Sequence, residues 1–179
     1  MTDPQARLAR KGKGKEAHLC HSGHILMENR NGLCMDARVD RADGYAERRS
    51  ARRMIRHLKR RHSIYLDTLG MDAGYGDGDF LAELGRLKIR AQVPVPPVRW
   101  RLPDPGTLAR DRAHQRMRTK GYQISQRIRK RVEEIFGWFK TVGGLARARL
   151  VGRWKIAQEM LMTGAAYNLL RLARLEAAA

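Results

Sequence analysis

Glu133 and Glu134 stand side by side in "RIRKRVEEIFGWFKTVGG", residues 127–144, where every other charged residue is Arg or Lys. At a helical step of about 100° per residue, Ile128, Val132, Ile135 and Phe139 fall within about 60° and form the stripe a helix would bury. Arg129, Glu133, Phe136 and Lys140 make a second stripe beside it, and Glu134 falls on the far flank. Only Glu133 therefore shares a face with both Arg129 and Lys140. Two readings suit that pattern. One is a solvated face with an Arg–Glu pair worth a few tenths of a kcal/mol. The other is a carboxylate that holds a divalent cation while neighbouring cations bring in a polyanion.

A second acidic stretch, "GMDAGYGDGDF" at 70–80, offers Asp72, Asp77 and Asp79. Asp72 is expected at the C-terminal end of a strand, where open α/β sheets place their ligands. Asp77 and Asp79 precede Phe80 and read as turn and N-cap residues. Neither GxGxxG nor a Walker lysine accompanies the glycines. His18, Cys20, His21, His24 and Cys34 include zinc-ligating types, but without CxxC or a helical HxxxH spacing they read as strand residues.

The elements that must carry these residues follow from periodicity. Residues 1–15 are polar and basic and read as an arm or loop. Residues 16–29 read as a strand. In 33–40, Leu33, Met35, Ala37 and Val39 alternate with Cys34, Asp36, Arg38 and Asp40. "NRNG" between them predicts a hairpin in which Arg30 faces Leu33 and Cys34 faces Asn29, with no disulfide to Cys20. Residues 46–61 switch to a helical period, with Ala51, Met54, Ile55 and Leu58 on one stripe and mostly Arg elsewhere. A strand to about Asp72, a helix over 79–88 and a strand over 89–95 predict a parallel βαβ unit. Residues 96–121, with four prolines, read as a long Arg/Pro-rich loop. Helices are expected over 123–141 and 154–175. The last carries Ile156, Met160, Leu161, Ala165, Tyr167, Leu169, Leu170 and Leu172, enough to pack against a sheet. The order predicts an α/β domain with a mixed sheet flanked by helices.

Composition narrows the partner. The chain has 37 Lys and Arg against 18 Asp and Glu, a formal charge of +19. Such an excess attracts polyanions, nucleic acid first. The most basic helix has Met and Ile on its apolar face rather than the Trp or Phe of a membrane-surface helix. No apolar run is long enough to span a membrane, and the first residues lack a secretory h-region. A cytoplasmic, nucleoid-associated protein is expected. An RNA-binding role through exposed aromatics suits the sequence poorly, because only 6% of residues are aromatic.

Six blocks in order, "DPQARLARKGKGKEA", "GHILMENRNGL", "DGYAER", "TLGMDAGY", "GYQISQRIRKRVEEIFGWFKTVGGL" and "AAYNLLRLARL", resemble the bacterial insertion-sequence transposases of the DDE type, within the insertion-sequence four and five groups. The resemblance implies an RNase H-like fold in which two Asp and one Glu hold two divalent cations, Mg²⁺ or Mn²⁺, for cutting and rejoining DNA. It makes Asp72 the second Asp, from the "G-x-D-x-G-Y" block. It makes Glu133 the Glu, from an "R-x(3)-E-x(6)-K" pattern matched by Arg129, Glu133 and Lys140. Gln126 stands where a Tyr often opens that pattern, and Ala73 where many relatives have Lys. Arg129 and Lys140, with Lys130 and Arg131, are the implied DNA contacts. Asp72 and Glu133 are then expected to converge in space.

In the resembling family the first catalytic Asp lies in a "D-G-T" strand upstream of "DPQARL". The chain is therefore expected to be a C-terminal part lacking the first strand and one metal ligand, inactive alone. Its expected partners are insertion-sequence DNA ends, further copies of itself, or an intact transposase. The rival expectation is a non-catalytic DNA-binding protein or an inhibitor of the intact transposase.

Overall fold

The computed structural model describes residues 3–10, 12, 14–98 and 104–178. The chain forms two compact units, one of Met1–His62 with Arg131–Ala179 and the other of Ser63–Lys130. The first unit contains strands β1 (Arg7–Arg10), β2 (Ala17–Met27) and β3 (Cys34–Arg41) and helices α1 (Ala46–His62), α5 (Arg131–Thr141) and α6 (Arg153–Glu176). The second contains β4 (Thr68–Gly70), α2 (Gly78–Arg86), β5 (Arg90–Gln92), α3 (Pro105–Arg116) and α4 (Lys120–Arg129). The fold is mixed α/β. Its described strands form two sheets, antiparallel in order β1-β2-β3 and parallel for β4-β5, rather than the single mixed sheet expected.

In the first unit the alternation of β3 sends its two sets of side chains to different helices. Ala37 and Val39 pack with Ile25 and Met27 of β2, Ile135 and Phe139 of α5 and Met160 of α6. Asp36 and Asp40 point the other way and bond to His57, Arg49 and Ser50 of α1. Helices thus cover both faces of the β2–β3 pair. The expected stripe of α1 is buried at Ala51, Met54, Ile55 and Leu58. α6 meets β3 through Gly164, whose Cα side lies against Cys34 Sγ. Its Asn168 side chain accepts from the Cys34 N–H and donates to the Cys34 carbonyl, both at 2.8 Å.

Several expected elements differ. The segment read as an arm holds β1, paired to Ala17–Cys20; residues 1, 2, 11 and 13 lie outside the described residues. The hairpin closes at Glu28, not Arg30. The Glu28 N–H donates to Leu33 O (2.8 Å), and its carboxylate accepts from the Asn31 (2.7 Å) and Arg30 N–H groups. That extra acceptor stabilises a longer loop, with Gly32 at φ 73°. A bulge at Leu26/Met27 sets Met27, not Asn29, opposite Cys34. Both cysteines are free thiols. On α6 Leu161, Leu169, Leu170 and Leu172 are exposed; one stripe of that helix, not its whole apolar content, packs inward.

In the second unit the parallel βαβ unit forms as expected, with Phe80, Leu81 and Leu84 of α2 buried. The strand before it is shorter than predicted. Ile64 and Tyr65 are exposed, and pairing spans only Thr68–Gly70. In the parallel register β5 begins at Arg90, just after α2, and leaves the residues before Thr68 without a strand partner. Pro94, with no N–H to donate, follows soon after the end of β5. The expected loop at 96–121 contains α3. Asp104 caps it, its Oδ1 accepting from the Thr107 N–H (2.9 Å), with Pro105 in the first turn. Residues 99–103 of that expected loop lie outside the described residues. α2 and α3 approach closely at Gly78 and Gly106, where a Cβ on Gly78 would lie 3.0 Å from Gly106 backbone.

Candidate functional site

The predicted helix over 123–141 is two helices, α4 and α5, meeting at Lys130. Arg127, Arg129, Lys130 and Arg131 crowd like charge into this junction, and Arg127 and Arg131 would face each other one turn apart in a continuous helix. Arg129 therefore ends α4 in the second unit, whereas Glu133 opens α5 in the first. The single four-residue stripe read from the sequence does not exist as one helix face.

In the second unit Asp72 follows β4 in extended backbone conformation, φ −84° and ψ 179°. It is exposed. One carboxylate oxygen accepts from the Gly74 N–H at 3.0 Å and caps a short 3₁₀ turn. Asp77 is the N-cap of α2, accepting from the Phe80 N–H at 3.0 Å, as its position before Phe80 implied. At the same strand ends Gln126 of α4 donates to the Met71 carbonyl (3.2 Å) and the Gln92 carbonyl (2.7 Å), and its own oxygen accepts from Arg129 Nε (3.2 Å). Gln126 thus fixes Arg129 in the unit that carries Asp72. The sequence flagged this position only as a departure from Tyr. Close packing reinforces the arrangement: a Cβ on Gly70 would come within 2.7 Å of Ser125 Oγ.

In the first unit Glu133 and Glu134 are exposed in the first turn of α5, where the helix dipole favours negative charge. Ile135 and Phe139 bury the opposite side. Lys140, in the last turn, shares the Glu133 face and is exposed, as are Lys130 and Arg131. No hydrogen bond or ion pair occupies Glu133 among the described residues, so its two oxygens face water.

The other acids of the first unit are committed. Asp36 has a side chain only 3% exposed, with Arg38 Nε at 3.1 Å and His57 Nδ1 at 3.0 Å. Asp40, equally buried, joins Arg49 (2.8 Å) and Arg53 (3.5 Å) of α1 to Arg153 (3.3 Å) of α6. Burial pushes Asp40 up, but the Arg49 hydrogen bond and its neighbours outweigh this and hold it at about 2. Asp3 accepts from the Gln5 and Gly152 N–H groups and lies 2.9 Å from His21 Nε2, which holds it at about 2. Burial, with Asp36 nearby, pushes the Cys34 thiol up to about 12. Among the described residues no three His, Cys, Asp or Glu side chains cluster as a metal cage.

The family model for the transposase DDE domain matches residues 2–169. The chain belongs to that family. The match includes Asp72 and Glu133 and covers both units. Comparison with curated proteins and with solved structures finds no significant match. Membership in the transposase DDE domain family carries transposition chemistry on DNA, and with it DNA binding and an ordinary use of divalent metals. No helix among the described residues is long and apolar enough to cross a membrane.

The donor chemistry fits such a metal. Asp72 keeps one carboxylate oxygen clear of its capping bond, and Glu133 keeps both, and carboxylate oxygens are the ligands hard cations take. Asp3 and Asp36, the first two aspartates of the sequence, are engaged by His21, Arg38 and His57.

Proposed function

We propose that residues 1–179 are the part of an insertion-sequence DDE transposase, RNase H-like in ancestry, that supplies Asp72 and Glu133 as ligands of a divalent-metal site. Mg²⁺ or Mn²⁺ there would activate the attacking hydroxyl and stabilise the leaving oxygen of a phosphodiester. Arg129, Lys130, Arg131 and Lys140 would hold the DNA backbone, positioning rather than reading it. The observation that carries this reading is the family match spanning both acids, supported by their exposure and by their oxygens not being spent in ion pairs.

On this reading the chain by itself cleaves no DNA. "D-G-T" does not occur in its sequence, and Asp3 and Asp36 are held by other partners. The reading also makes it a nucleoid-associated cytoplasmic protein that works with further copies of itself or with an intact transposase. The deciding experiment combines Mn²⁺ titration with a nicking assay on duplex carrying the element's ends. Asp72→Asn and Glu133→Gln should each weaken Mn²⁺ binding, with the double variant no worse than either single one. Turnover by the chain alone, abolished by Glu133→Ala, would overturn the claim of inactivity. DNA binding with Mn²⁺ affinity untouched by both substitutions would favour a non-catalytic DNA-binding protein.

A further inference from the structure

The arginines of α1 do not all spend themselves on solvent. Arg53, Arg56, His57 and Arg60 recur at i, i+3, i+4 and i+7, so they share a helix face, and Arg61 sits beside them. With Arg38 of β3 they line an open groove of about 500 Å³. This groove lies on the Asp36/Asp40 side of the β2–β3 pair, whereas α5, which carries Glu133, packs on the Ala37/Val39 side.

We propose that this groove clamps the sugar–phosphate backbone of duplex DNA, as a second contact apart from the Glu133 face. The proposal rests on the DNA reading given above. Three observations carry it. The groove is lined by five guanidinium groups, whose planar forks suit phosphate oxygens. Its base is preset: buried Asp36 bonds Arg38 and His57, and buried Asp40 bonds Arg53, so these side chains are aimed before any ligand arrives. Arg60 and Arg61 close the last turn with no carboxylate partner among the described residues, a concentration of like charge that a polyanion relieves.

The occupant follows from what the lining lacks. No Phe, Tyr or Trp lines the groove, and its one aromatic ring, His57, is tied to buried Asp36, so there is no run of platforms on which successive bases of a single strand would stack. From Arg53 to Arg60 the helix rises about 10 Å, a length over which duplex DNA presents roughly six phosphates. Contact with phosphates alone makes the clamp indifferent to sequence.

The test uses the whole chain and a random-sequence duplex of about 25 base pairs, with affinity followed by fluorescence anisotropy across about 50–200 mM salt. Arg60→Gln/Arg61→Gln should reduce the log–log salt slope by about 2, near 0.9 for each lost phosphate contact, and weaken binding roughly tenfold or more at about 100 mM. Arg61→Glu alone, should the double variant not fold, should give a comparable loss. Lys155→Gln/Arg174→Gln, which removes equal charge from exposed positions on α6, should leave the slope nearly unchanged. The groove is refuted if both pairs change the slope equally, if neither does, or if the loss appears only with single-stranded DNA. A wild-type chain with no salt-dependent affinity for duplex would instead sink the DNA reading on which the groove rests.

Discussion

Gln126 satisfies two backbone carbonyls at once and steers Arg129 with its remaining oxygen. Removing it leaves Met71 O and Gln92 O at the strand ends with one partner fewer, so Gln126→Ala should cost about 1–2 kcal/mol, read as a lower midpoint in urea. Gln126→Glu should cost more, since a carboxylate has no N–H to give two carbonyls. An unchanged midpoint in both would mean that the strand ends are held by packing instead. Cys34 offers a second residue-level expectation. A thiol held at about 12 by burial and by Asp36 has almost no thiolate near pH 8, so it should resist iodoacetamide in the folded chain and react on unfolding. Mass mapping of the alkylated peptide checks this; rapid labelling of Cys34 in the native protein would contradict the burial.

The junction after α5 shows how a few atoms decide an element's place. Phe139 of α5 seats in the core beneath β3 and α6, and the chain then turns at Gly143, whose N–H donates to Trp138 O at 3.0 Å. A Cβ there would lie 2.5 Å from Thr163 Cγ2 of α6 and 2.6 Å from the Phe139 carbonyl. The carbonyl is backbone and cannot swing away, so Gly143→Ala should destabilise the first unit by about 1–3 kcal/mol, measured by thermal or urea unfolding. Wild-type stability in that variant would show that the turn relaxes freely. Such close approaches are invisible to periodicity, which saw α1, α2, α6 and the two long strands because their apolar residues recur regularly. It missed α3, where Asp104–Pro105 is an N-cap followed by a first-turn proline but was read as loop punctuation. It ran α4 and α5 together because Ile128, Val132 and Ile135 keep their spacing across the break. It read Asp36 and Asp40 only as one alternating set of a strand, since nothing local to β3 reveals that arginines and His57 from α1 will cover them. Asp72 and Glu133 came from collinear motif blocks, a signal independent of packing.

For the whole molecule, excess positive charge makes a few shielded carboxylates the ties between elements. Asp40 joins β3 to α1 and α6, and Asp3 joins the segment before β1 to His21 of β2 and to Gly152 at the start of α6. Both are held at about 2, below their ordinary value of 3.8. As the pH falls from about 4 to about 2, the unfolded chain therefore takes up protons that the folded chain refuses, and linkage lowers stability across that window. Above it the contribution of both acids is fully present and flat. Protonation elsewhere adds to a formal charge already at +19, so self-repulsion acts in the same direction. Asp40→Asn should lower stability at pH 7 by roughly 3 kcal/mol, the lower part of the range for breaking a buried ion pair, because the arginines it leaves can still reach water. It should also make the acid limb of the stability curve shallower, since one of the two carboxylates responsible no longer titrates and only the Asp3 share remains. Urea midpoints measured from about pH 2 to 7 for wild type and Asp40→Asn supply both numbers. If the variant loses stability at pH 7 yet keeps the full acid dependence, the titration belongs to other carboxylates, and Asp40 acts through hydrogen bonding without acting as the acid sensor of the fold.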